Sequence, residues 1–149
     1  MLDLDLVVLN MEANSSKDII EKLGDLMLTK GYVKDSYVQA VLEREKNLPT
    51  GLSIGDFCVA IPHTDSGHVI QSNIAIATLK DASIFHSMIN PDEELSVELV
   101  FLLAVKDPNL QIQLLKNLMS VFQNKELLVK LRNVTSKEEA SGLLSCLDQ

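Results

Sequence analysis

"FCVAIPHTDSGH", residues 57–68, decides the reading of this chain. Phe57, Val59 and Ile61 alternate with Cys58 and Ala60, so both faces of the run are apolar. A strand of that kind belongs inside a sheet covered by helices on both sides. Pro62 carries no backbone donor, so the ladder cannot continue through it. It also holds Ile61 extended. The strand therefore closes at Pro62 and presents His63 at its carboxyl end, the edge where open α/β sheets bind ligands.

Working outward, "NIAIATL" (73–79) and "LSVELVFLLAV" (95–105) repeat the two-sided apolar character, and "ASIFHSM" (82–88) predicts a weaker or edge strand. "LDLVVLN" (4–10) predicts a short first strand. Residues 14–32 read as a helix with Ile19, Ile20, Leu23, Leu26 and Met27 on one face. Ser15 with Asp18 is its cap and Gly31 its stop. Residues 35–47 predict a second helix, opened by Asp35, with Val38, Val41 and Leu42 inward. "NLPTGLSIGD" (47–56) reads as a loop punctuated by Pro49, Gly51 and Gly55. From Asn109 the chain is helical. Leu110, Leu114, Leu115, Leu118 and Phe122 share a face, 125–133 is a short helix, and 135–148 opens with a capping box from Thr135 to Glu138. The expected fold is one α/β domain over residues 1–149, a mixed, mostly parallel sheet of about five strands sandwiched between α-helices.

Composition narrows the function. The formal charge is −8, which argues against nucleic acid or an anionic membrane surface as the main partner. No apolar stretch is long enough to span a bilayer, and "MLDLDLVVLNME" is acidic where a signal peptide would be basic. Cys58 and Cys146 make neither a disulfide framework nor a zinc pattern. A cytoplasmic, reduced protein is expected.

His63 at a strand end suits phosphoryl transfer. A neutral imidazole has one N–H and one lone pair. A backbone acceptor for the N–H would fix the tautomer and leave the other nitrogen outward as a nucleophile. Thr64, Ser66 and Gly67 form a small-residue turn able to meet an anion. Arg44, at the end of the second helix, can clamp phosphoryl oxygens, and His68 can donate to a transferred group. Each also has a plainer reading: His63 as a bonded structural residue, Arg44 as a solvated helix charge, His68 and His86 as surface residues, Cys58 as core. His63, Asp65 and His68 also spell H-x-D-x-x-H, a possible zinc set on a flexible turn.

"LEREKNLPTGLSIGDFCVAIPHTD" (42–65) shifts the balance. It resembles the enzyme IIA component of the bacterial sugar phosphotransferase system, of the fructose/mannitol superfamily. The resemblance rests on Arg44 and Glu45 ending a helix, on Pro49 to Gly51, and on a strand closing as Ala60 to His63, with Asp56 matching an acidic residue ahead of that strand. "PHTDSGH" looks most like the galactitol-type branch. The resemblance implies that HPr phosphorylates His63 on Nε2. His63 then passes the group to a cysteine of enzyme IIB, part of a IIB–IIC sugar permease, with Arg44 near the phosphoryl oxygens. It implies no metal and no organic cofactor. Lining up "KDPNLQIQLL" puts Gln111 where mannitol- and fructose-type members carry a second histidine. An amide donates a hydrogen bond but does not titrate, so the place of that histidine falls to His68, to Gln111 as a neutral donor, or to nothing. The sites expected are His63 as phosphohistidine, with Arg44, His68, Gln111 and Thr64 stabilising phosphate. Nitrogen-type members of the superfamily suggest an alternative, a regulator whose His63 phosphorylation controls partner binding.

Overall fold

The computed structural model describes residues 3–145. After a 3-10 turn at Leu4–Leu6, the elements run β1 (Val7–Met11), α1 (Ser16–Thr29), α2 (Tyr37–Asn47), β2 (Gly51–Ile54), β3 (Phe57–Ala60), β4 (Asn73–His86), β5 (Glu94–Ala104), α3 (Pro108–Phe122), α4 (Lys125–Arg132) and α5 (Lys137–Leu143). A further 3-10 turn spans Ser66–His68.

The five strands form one mixed sheet in the order β1-β4-β5-β3-β2. The expected five-stranded mixed sheet between helices is present. Its pairings divide evenly, with β1–β4 and β3–β5 parallel and β2–β3 and β4–β5 antiparallel, so the lean toward parallel is corrected.

Alternation along the strands builds two cores. Leu99, Phe101 and Leu103 of β5 pack with Phe57, Val59 and Ile61 beneath Leu114, Leu118 and Phe122 of α3 and Leu128 and Leu131 of α4. Val100, Leu102 and Ala104 face the other way with Ala60, Ala75 and Ala77, beneath Ile19, Ile20, Leu23 and Met27 of α1 and Tyr37 and Val41 of α2. Each fully buried large apolar side chain contributes about 1.5–3 kcal/mol. The alanines keep the second face shallow, so α2 sits close enough for the buried Tyr37 hydroxyl to donate to the Leu103 carbonyl at 2.6 Å.

Several local expectations change. Residues 51–54 are a strand rather than loop. Leu52 and Ile54 alternate with Ser53, and Gly55–Asp56 is a two-residue hairpin loop with Gly55 at φ +61°. The two expected strands 73–79 and 82–88 are one strand, β4, whose register against β5 shifts between Thr78 and Ser83. The exposed Lys80–Asp81 break in the pattern marks that irregularity, not an end. α2 begins after Ser36 rather than Asp35. α5 is capped by Ser136, which accepts from Glu139 N, one residue beyond the expected Thr135–Glu138 box. Leu110 lies in the exposed first turn of α3 and does not join the core. Cys146 and the end of the expected last helix fall outside the described residues.

Candidate active site

His63 stands where three elements meet. β3 ends at Ala60, yet the next two residues stay pinned: Ile61 N donates to Thr50 O at 3.3 Å, and Leu103 N of β5 donates to Pro62 O at 3.0 Å. His63 follows at once, with its ring largely buried, only 9 % exposed. Its Nδ1 lies 2.7 Å from the carbonyl oxygen of Ile61. A carbonyl only accepts, so Nδ1 carries the proton, and in the neutral ring Nε2 keeps its lone pair. Burial holds the ring below the ordinary histidine range and the Arg44 guanidinium adds to this, against the Ile61 carbonyl and Asp65, which favour protonation. The neutral nucleophile is therefore the resting form.

Arg44, in the last turn of α2, brings the positive charge. Its Nη1 is 3.9 Å from Asp65 Oδ1, a long and exposed pairing of little worth by itself. Its Nε is buried with no hydrogen-bond partner among the described residues. Such a donor costs about 1–3 kcal/mol while unmade.

The turn after His63 is tied down elsewhere. His68 N bonds Asp65 O and Val69 N bonds Ser66 O, which occupies amides that the sequence offered to an anion. Lys34 N donates to His68 O, and Ile70 N to Tyr32 O, so the turn is sewn to the α1–α2 connection. His68 Nδ1 lies 2.8 Å from Ser36 Oγ. Ser36 precedes α2 and Arg44 lies near its end, about 12 Å apart along the helix axis. His68 therefore sits toward the far end of α2 from Arg44. Thr64 is buried beside His63. Gln111 sits half-buried in the first turn of α3, its N–H bonded to Asp107 O, on the sheet edge reached by the end of β5. Asp56 is exposed in the β2–β3 turn, at the opposite end of β3 from His63. His63, Asp65 and His68 do not gather; among the described residues no three His, Cys, Asp or Glu side chains converge as a metal site.

Glu45 stands in the sequence only as the partner of Arg44 at a helix end, with no role of its own legible there. The Glu45 carboxylate accepts from both Thr50 N, at 2.8 Å, and Thr50 Oγ1, at 2.7 Å. Burial raises its pKa, while the Thr50 bonds and the charge of His86 oppose that rise. The signal available was the "RE…PTG" spacing; the bond itself needs the fold. A groove of about 560 Å³ runs past Glu45, Pro49 and His86 on the α1–α2 side, and neither His63 nor Arg44 lines it. No helix among the described residues is long and apolar enough to cross a membrane.

Residues 1–146 match the family model for the phosphoenolpyruvate-dependent sugar phosphotransferase system, EIIA 2. The chain is 32% identical over 111 residues to the galactitol-specific EIIA component of Escherichia coli K12, covering 74% of this chain and 73% of that one. It is 35% identical over 145 residues to the transcriptional regulator ManR of Bacillus subtilis, covering 96% of this chain and 20% of the regulator. The crystal structure of IIA mannitol from Escherichia coli superposes with a TM-score of 0.80 at 25% identity, covering 97% of this chain and 99% of that one.

Proposed function

This chain belongs to the EIIA 2 family of the phosphoenolpyruvate-dependent sugar phosphotransferase system, and from that premise we propose that His63 is its phosphoryl-accepting residue. As a member of that family the chain is a phosphocarrier. In the proposed cycle the Nε2 lone pair of His63 attacks the phosphorus of a phosphohistidine on HPr. The N–P bond of the donor breaks and its imidazole leaves. The new Nε2–P bond forms with the Nδ1 proton still held by the Ile61 carbonyl, so no proton need move. A cysteine thiolate of an enzyme IIB then attacks the phosphorus, and His63 leaves with its lone pair restored. The observation that carries this reading is the Nδ1···O bond of 2.7 Å to Ile61, which fixes the nucleophilic tautomer.

Charge on the transferring group is spread over three oxygens, so the site must supply positive charge and donors. Arg44 supplies the charge and an unpartnered Nε–H. Thr64 and Gln111 supply neutral donors. His68 contributes only by exchanging its Ser36 partner for a phosphoryl oxygen. The transported substrate in this reading is a hexitol of the galactitol type, handled by a IIB–IIC permease with this chain in the cytoplasm; the galactitol-specific relative supports it.

A regulatory role is the second reading, favoured by one observation, the 35% identity with ManR across almost the whole of this chain. There phosphorylation of His63 would change partner binding instead of feeding a sugar.

The test is phosphorylation of the purified protein by enzyme I, HPr and phosphoenolpyruvate. Wild type is expected to gain one acid-labile phosphoryl group by intact mass, and His63→Ala none. Retained acceptance in His63→Ala ends the reading. Onward transfer to a galactitol-type IIB separates carrier from regulator.

A further inference from the structure

We propose that Glu45 is a positioning residue for His63, acting through Thr50 and the main chain of Ile61; this rests on the reading of His63 as the phosphoryl acceptor. The chain of bonds is continuous. Both Glu45 carboxylate oxygens hold Thr50, through its N–H and its hydroxyl. The Thr50 carbonyl receives Ile61 N–H at 3.3 Å. The Ile61 carbonyl receives the Nδ1–H of His63 at 2.7 Å. Three residues, from α2, the β2 approach and the end of β3, thereby fix one ring.

The site needs such a device because the strand ladder gives out just there. β2 begins at Gly51, so Thr50 lies one residue outside it, and β3 ends at Ala60, so Ile61 lies one residue outside too. The Ile61–Thr50 bond extends the hairpin by one rung, and at 3.3 Å it is long. A rung at a frayed end holds only if its other strand is anchored. A carboxylate accepting two bonds is a strong anchor. Glu45 follows Arg44 directly in α2, and successive helical residues point about 100° apart. One helix end thus carries a guanidinium aimed at the His63 side and a carboxylate aimed at the loop beneath it. The phosphoryl clamp and the tautomer anchor share the last turn of one helix.

The tautomer follows from the geometry. If Thr50 swings free, the Ile61 carbonyl keeps only the constraint from Pro62, whose own carbonyl accepts from Leu103 N, and the advantage of Nδ1–H over Nε2–H in a neutral ring shrinks. The ring then spends part of its time with the proton on the attacking nitrogen.

The experiment uses the full chain with Glu45→Ala, Glu45→Gln and Thr50→Val. Ring ¹⁵N shifts of His63 report the tautomer without any phosphorylation, and transfer from phospho-HPr is measured over donor concentrations from below KM to saturation. Glu45→Ala is expected to slow transfer about tenfold with unchanged KM for phospho-HPr, since misplacement costs rate more than binding. Its His63 shifts should move toward a tautomer mixture. Glu45→Gln should recover most of both, because an amide accepts from Thr50 N and donates to its hydroxyl. Thr50→Val should show a smaller change in the same direction, and it serves if Glu45→Ala does not fold. Wild-type ¹⁵N shifts in Glu45→Ala, or in Thr50→Val if the former is unfolded, overturn the proposal. Absence of phosphorylation on wild-type His63 instead overturns the phosphocarrier reading and leaves the ¹⁵N result to decide the role of Glu45.

Discussion

His63 donates its Nδ1–H to the carbonyl of Ile61, two residues back along the same chain, at 2.7 Å. Pro62 lies between them, so a ring of fixed φ separates the histidine from its own anchor. The pair is nearly closed off from water, and that shapes how the site responds to mutation and to pH.

Arg44→Ala removes the positive charge beside His63 while His63 keeps its bond to Ile61. Phosphoryl transfer from phospho-HPr should fall about a hundredfold, the range for losing one preorganised donor to developing negative charge. Arg44→Lys should regain part of this as a point charge without the fork. An unchanged rate in Arg44→Ala would assign the residue to the solvated surface.

Gln111→Ala tests whether the first turn of α3 shares the phosphoryl group. An ordinary neutral hydrogen bond contributes about 0.5–1.5 kcal/mol, so the transfer rate should drop by no more than about tenfold. A loss of several hundredfold would give Gln111 a central role.

The His63 shift sets a sign for pH. Burial lowers its folded pKa below the ordinary histidine value of 6.5, so the unfolded chain binds the proton first as pH falls. The contribution of His63 to stability is fully present above 6.5 and is lost on acidification through the lower folded pKa. Glu45, raised by burial, works the other way in the carboxylate range. Thermal melts of wild type and His63→Gln between about pH 7.5 and 5.5 should therefore diverge, wild type losing more on acidification. Parallel curves would show that the ring is not held neutral. Phosphoryl acceptance should likewise persist to lower pH than an ordinary histidine allows.

Gly51→Ala should destabilise the hairpin beside the site. A Cβ there would lie 2.6 Å from the His86 carbonyl oxygen, and backbone on both sides cannot yield cheaply. Overpacking of this kind costs about 1–3 kcal/mol, a fall of about 3–10 °C in Tm. A melt within a degree of wild type would mean that the β2–β4 approach is soft.

Composition and periodicity were enough for the layers. Helical spacing of Ile19, Ile20, Leu23 and Met27 placed α1, and Ser15 does cap it through Asp18 N. Two-sided apolar runs placed β3 and β5 in the centre of the sheet. The β2 strand escaped because its turn residues outweighed two alternating apolar positions, and β4 was cut in two because a polar pair at a register shift looks like a loop.

The sequence by itself determined that a proline would stop a buried strand and set a histidine at its end, because a missing N–H and a fixed φ are properties of one residue. It also carried the family motif, from Arg44 to His63. Only the tertiary structure decided how that histidine is held. The Tyr37 hydroxyl finds the Leu103 carbonyl 66 residues away, and even the nearer partners, Glu45 with Thr50 and Thr50 with Ile61, meet only because α2 and the hairpin fold against one another. Hydrogen bonds reach only about 3 Å, so such partners become visible only when the chain has folded.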